Sequence, residues 1–170
     1  MHIEPELQAF IPLFPKDDLT DPAAARKTLA ELAAAVPAPD TAGLEIEGRT
    51  VPADPKVPVR IYRPHPAQGA IVWLRGGGFV MGDLATEHPW AARLAGDSGA
   101  VVVSVGYRRA PEHRFPAALD DAYTALAWTA AHAADLGTDP ARIAVGGPAV
   151  GVSQRQNAEL TAAQRRALTQ

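Results

Sequence analysis

The spacing of apolar residues changes rhythm along the chain, and each rhythm predicts a different element. From Ala23 to Val36 the residues are mostly Ala, Leu, Lys and Glu, with Leu29, Leu32, Ala33 and Val36 at three- and four-residue spacing. That pattern predicts an amphipathic helix. Asp21 and Pro22 suit its start, because Asp accepts from free N–H groups and Pro loses nothing in a first turn. Pro37 and Pro39 stop it. Leu44 to Val51 and Val57 to Tyr62 then alternate apolar with polar, separated by a turn over Pro52 to Pro55. Alternation predicts an antiparallel pair with one wet face. The rhythm changes again at Ala70–Leu74, Ala100–Val105 and Arg142–Val145, which are nearly continuous apolar runs. Strands buried on both faces read this way, so these predict a parallel sheet. Between them lie helical stretches over about Thr86 to Asp97 and Pro116 to Leu136. Leu119, Tyr123, Leu126 and Ala130 form the stripe of the second, and Gly137 ends it. Strand, helix, strand, helix, strand predicts a doubly wound α/β sheet.

Three segments follow from this reading: an N-terminal appendage over 1–40, an α/β core over 41–150, and a tail over 151–170. The tail holds four Gln and three Arg, whereas the first 150 residues hold two Gln. A polar helix over Ala158 to Leu168 is expected there. No internal repeat is visible.

Composition narrows the function classes. With 16 Lys and Arg against 19 Asp and Glu, scattered along the chain, no basic patch points to nucleic acid. The absence of Cys excludes disulfides, thiolate metal sites and a Cys nucleophile. Met1 to Glu6 lacks the basic and apolar regions of a signal peptide. No apolar run approaches the roughly 18 residues of a membrane span. A soluble, cytoplasmic protein of one domain is the expectation.

The loudest chemical signal is Gly76-Gly77-Gly78 after a buried strand. Consecutive glycines let backbone N–H groups approach a ligand closely. The readings are an oxyanion hole, a phosphate cradle or a tight strand exit. A dinucleotide fingerprint fits poorly: the glycines fall at 76, 78 and 82, one residue too long, and the helix does not start at once. Gly96-Asp97-Ser98-Gly99 looks like a protease nucleophile motif but falls between helix and strand, where a helix-ending turn is the better reading. In Tyr107 to Pro116, Arg108 and Glu112 are expected to pair and order the loop. Arg142 to Gly147 runs from a strand into a turn, the place of a nucleophile elbow.

From about Ile61 to Gly147 the chain resembles the hormone-sensitive-lipase-like branch of the α/β-hydrolase esterases. The matching pieces are Gly76-Gly77-Gly78-Phe79, Tyr107-Arg108, Ala110-Pro111-Glu112-His113, Phe115-Pro116-Ala117-Ala118 and Asp139 to Gly147. The resemblance implies an α/β-hydrolase-type, mostly parallel sheet with flanking helices, incomplete at its C-terminal side. It also makes residues 1–40 a cap-like helical segment. It further implies hydrolysis of small or medium acyl esters with no metal or organic cofactor. In the family a Ser in G-D-S-A-G attacks the ester, a His relays the proton, an Asp orients the His, and backbone N–H groups hold the oxyanion. By position, Gly76, Gly77 and Val150 are the remnant of that oxyanion hole.

The departures are as specific as the match. Arg75 replaces the His that begins the glycine motif. Arg109 stands where the family has an apolar residue, and Gly106 where it usually has Asp. The elbow reads Gly147-Pro148-Ala149-Val150-Gly151, so Ala149 occupies the nucleophile position and has no attacking atom. Pro148 further constrains a strained turn. Ser153 lies four residues on. No Asp follows Asp139 and no His follows His132. The resemblance thus implies an inactive esterase-like chain, and a reading frame disrupted near Gly147 is the preferred origin. The alternative is a binding module for a small ester, apolar ligand or protein. It would use a cleft near Gly76–Gly78, with Phe10, Leu13 and Phe14 as lining. A dinucleotide-binding domain is third. The strand at Arg142–Val145 would be an exposed sheet edge, which invites self-association.

Overall fold

A computed structural model describes residues 20–148 of the 170. Helix α1 spans Pro22–Ala35, and strands β1 and β2 span Leu44–Val51 and Val57–Pro64. Strand β3 spans Ala70–Leu74, helix α2 His88–Ser98, strand β4 Val101–Val105, helix α3 Ala117–Ala131 and strand β5 Ile143–Gly146. Asp21 caps α1, its carboxylate accepting from the N–H groups of Ala23 and Ala24 at 3.1 and 3.0 Å. The tail helix and the lining by Phe10, Leu13 and Phe14 lie outside the described residues.

The five strands form one sheet in the order β1-β2-β4-β3-β5. β1 pairs antiparallel with β2, and β2 antiparallel with β4. β3 pairs parallel with both β4 and β5. The continuous apolar runs are therefore the parallel strands, as expected of strands covered on both faces. β2 departs from the predicted wet-faced pair, because it lies inside the sheet between β1 and β4. Ile61 and Tyr62, on opposite faces, are both fully buried.

Helices cover the two faces. Val59, Ile61, Val72, Val101, Val103 and Val105 pack with Ala122, Ala125 and Leu126 of α3 on one side. Tyr62 and Val102 pack with Ala91, Ala92 and Ala95 of α2 on the other. Small residues on α2 let the helix approach the sheet closely. α2 ends at Gly99, whose φ of 65° is one that glycine adopts without strain. The Gly96–Gly99 run is thus a helix end, with Ser98 Oγ donating to the Leu94 carbonyl at 2.6 Å. α3 is followed by one more turn, closed when Gly137 and Thr138 donate to the carbonyls of Ala134 and Ala133.

Two predicted stripes are shifted, with Leu126 alone of the second buried. In α1 Ala25 is buried, whereas Leu32 and Val36 are 46% and 53% exposed. In α3 the buried side is Asp121, Ala122, Ala125, Leu126 and Thr129, and Tyr123 is 44% exposed. A rich supply of Ala and Leu satisfied the helical period on more than one face.

All three parallel strands point the same way, so Leu74, Val105 and Gly146 bring their following loops to one edge of the sheet. Ligands of doubly wound sheets bind at that edge. Among the strands described, β5 is terminal, and Ala144 is exposed.

Candidate functional site

The glycine loop begins directly at the exit of β3. Val80 and Met81 both donate to the Gly77 carbonyl, at 3.0 and 2.8 Å, which folds 77–81 into a tight turn. Gly77 has φ 112°, and a Cβ there would lie 2.5 Å from the Met81 carbonyl oxygen, so no other residue fits. Phe79 sits at φ 64°, a conformation unusual for an aromatic residue. It is held there as its carbonyl accepts from Ala110 N–H at 3.0 Å. The N–H groups of Gly76, Gly77 and Gly78 donate to no carbonyl among the described turns.

The exit of β5 presses against this loop. Gly147 has φ 130°, and a Cβ there would collide with the backbone of Leu74. A Cβ on Gly76 would lie 3.2 Å from Cβ of Pro148. The glycine loop and the elbow-like turn are therefore neighbours. Ala149 and Val150 lie outside the described residues.

Arg75, in place of the expected imidazole, is buried at 1% exposure. Its guanidinium lies 3.7 Å from the centre of the Tyr107 ring. Arg75 Nη2 donates to the Tyr107 carbonyl at 2.9 Å, and Tyr107 Oη donates back to the Arg75 carbonyl at 2.8 Å. This reciprocal pair ties the exit of β3 to that of β4. Nε and Nη1 of Arg75 have no hydrogen-bond partner among the described residues. Burial pushes its pKa below the ordinary value, opposed by Tyr107.

Three more arginines order the surrounding loops. Arg26 of α1 donates from Nε to the Val80 carbonyl at 2.8 Å and from Nη2 to the Ala110 carbonyl at 2.8 Å. It also grips Glu112 with both terminal nitrogens, at 2.6 and 2.8 Å. The Arg26 hydrogen bond pulls the Glu112 carboxyl down to about 2. Arg108 binds Asp121 of α3 through its N–H, Nε and Nη2, at 2.8 to 3.1 Å. Arg109 Nη1 donates to the Gly82 carbonyl at 2.8 Å. The expected Arg108–Glu112 pair is thus replaced by two pairs with partners distant in sequence. Asp121 and Arg26 were missed in the sequence. Asp121 left a trace, an acid on the inner side of a helical pattern; Arg26 left none.

On the opposite side of the loop, Trp73 Nε1 donates to Glu87 Oε1 at 2.7 Å, and burial raises the Glu87 pKa. Tyr62 Oη lies 3.0 Å from His88 Nδ1. A cleft of about 590 Å³ opens between the loops. Arg60, Arg75, Asp83, Tyr107 and Arg109 line it, and Gly76–Gly78 do not. Of the three glycines expected to border the cleft, Gly76 packs against Pro148, and Gly77 against the Met81 backbone. The first helix after the glycines, α2, starts only at His88. Among the described residues no helix is long and apolar enough to cross a membrane.

A sheet of this order, with a glycine loop at the β3 exit abutting the β5 exit, defines an α/β-hydrolase scaffold. The chain belongs to the family described as the alpha/beta hydrolase fold, whose model matches residues 71–167. It is similar to carboxylesterase NlhH of Mycobacterium tuberculosis, 46% identical over 113 residues that cover 64% of this chain and 35% of that protein. It is similar to an arylesterase of Saccharolobus solfataricus, 30% identical over 158 residues that cover 89% of this chain and 52% of that protein. Among solved structures, an esterase of Pyrobaculum calidifontis superposes with a TM-score of 0.74 at 38% identity. That match covers 86% of this chain and 48% of the esterase. The chain thus spans about a third to a half of the length of these relatives. A relationship to carboxylesterases and lipases is established by these matches.

Proposed function

We propose that this chain carries the oxyanion-binding part of a carboxylic ester hydrolase site and does not itself turn over esters. In this reading Gly76, Gly77 and Val150 offer backbone N–H donors to an ester carbonyl, and Ala149 stands where a nucleophile is required. Pro148 before it fixes φ and removes a donor at the turn. The ligand class is a small or medium acyl ester, bound in the cytoplasm beneath a cap-like segment over 1–40. The core over 41–150 is the scaffold, and 151–170 is a divergent tail.

One observation carries the reading. The glycine loop, with its N–H groups unengaged by the described turns, abuts Pro148, one residue before Ala149. Oxyanion donors work only when they are held beside the attacking atom, so their placement supports descent from such a site. Removing the nucleophile from a triad enzyme costs about a millionfold in rate.

The test incubates the full chain with p-nitrophenyl acetate and butyrate and, separately, with a fluorophosphonate probe. The expected result is hydrolysis at the no-protein rate and no covalent label. Turnover above that rate, together with label on Ser153 or another hydroxyl, overturns the proposal.

A further inference from the structure

The cleft between the loops after β3 and β4 is unusual in its charge. Four arginines line it: Arg60, Arg75, Arg108 and Arg109. Arg108 is neutralised by Asp121. Arg60 and Arg109 are held by backbone carbonyls, Leu84 at 3.2 Å and Gly82 at 2.8 Å, and neither forms an ion pair among the described residues. Arg75 is 1% exposed, with two guanidinium nitrogens unsatisfied among the described residues. The lining acids balance them only in part. Glu112 is occupied by Arg26. Asp83 Oδ1 accepts from the N–H groups of Ala85 and Thr86, both at 2.9 Å, and its charge reaches Arg75 and Arg109. Glu87, whose charge reaches Arg75, does not line the cleft and accepts from Trp73.

A buried guanidinium with unmet donors is costly, and like charges gathered around one cavity repel. The repulsion falls if an anion occupies the space, and the charge of Arg75, whose unmet nitrogens are sealed from solvent, is offset at a distance. We propose that this cleft binds a small oxyanion, a carboxylate or phosphate group, held by Arg60 and Arg109 above Arg75. Guanidinium forks match the paired oxygens of both groups, and charge-assisted hydrogen bonds are the strong ones. Gly106, in the lining, leaves no room for a side chain: a Cβ there would lie 3.0 Å from the Pro58 carbonyl and 3.2 Å from Leu84 Cδ1. The site is separate from the glycine loop, so the inference does not rest on the ester-hydrolase reading.

The experiment titrates the full chain with inorganic phosphate and with acetate, by calorimetry and amide chemical shifts, against sodium chloride at matched ionic strength. Saturable binding is expected, with the largest shifts at Gly82–Ala85 and Tyr107–Arg109. Phosphate binding tighter than acetate assigns a dianion; equal binding assigns a carboxylate. Arg109→Gln and Arg60→Gln should each weaken binding roughly tenfold. Both are partly exposed, so they avoid the folding risk of replacing Arg75. Responses no greater than those to chloride, or affinity unchanged in both variants, overturn the proposal.

Discussion

Helices α1 and α3 both brace the loops that carry the candidate site, but they are attached by different physics. α3 lies on the sheet through Ala122, Ala125 and Leu126, all buried, and adds Asp121 beneath Arg108 at 3% exposure. α1 buries only Ala25 and reaches the loops through the side chain of Arg26. Its partner Glu112 is half-exposed, with a side chain 54% accessible. The hydrophobic contact of α3 is non-directional and is not screened by salt as an ion pair is. The attachment of α1 is directional, and both salt and acid weaken it. A fold that attaches its core helix by area and a sheltered ion pair, and its appended helix by an exposed one, leaves the second more responsive to salt and acid.

The largest way to break this contrast is to attack the strong side. Asp121→Ala removes the acceptor of the Arg108 N–H and guanidinium and leaves that charge half-buried. A loss on the order of 3 kcal/mol is expected, read as a lower midpoint in urea unfolding. Asp121→Asn, which keeps the shape, should lose less. Equal midpoints for wild type and the Ala variant would mean that α3 needs no polar anchor.

A smaller effect is expected from Arg26→Ala. The sheet should keep its urea midpoint within error, while α1 detaches. Limited proteolysis is the readout, with faster cleavage in the 36–43 segment than in wild type. The wild-type rate should rise toward that of the variant as salt is added.

The smallest effect is in acid. Glu112 has an ordinary pKa of 4.5 and a folded value of about 2. A depressed carboxylate stabilises the folded pair above 4.5, and that contribution is lost as pH falls from there toward 2. Amide exchange of α1 should therefore accelerate over this window more in wild type than in Glu112→Gln. An identical pH course in the two proteins would remove the Glu112 clasp from the account.

The strands were legible because a run such as Val101–Val105 leaves no other home for five apolar or small residues in a row. The helix end at Gly99 was legible because it needs a backbone conformation that favours glycine; Gly137 closes the turn after α3, which itself stops at Ala131, short of the expected Leu136. Legibility failed where a choice among partners is made in space. Arg108 has Glu112 four residues away, yet Asp121 wins because α3 packs under the loop and carries that carboxylate to it. Arg26 and Glu112, separated by 86 positions, meet only once the sheet has formed. Arg75 reads in the sequence as an intrusion into the glycine motif. Its burial beneath Tyr107 depends on the parallel pairing of β3 with β4, which no local pattern encodes.

The three tryptophans lie in three distinct surroundings, which equips the protein with its own optical probes. Trp90 is 63% exposed, so its emission samples the solvent. Trp128 stacks on the His132 ring at 4.7 Å, an arrangement in which the charge of the imidazole alters the fluorescence yield. Trp73, hydrogen-bonded to Glu87 two residues before Arg75, registers the polarity at the root of the glycine loop. Replacing Trp90 and Trp128 by Phe would leave a single emitter. Its colour then follows that loop through ligand addition, acid or denaturant without any attached dye.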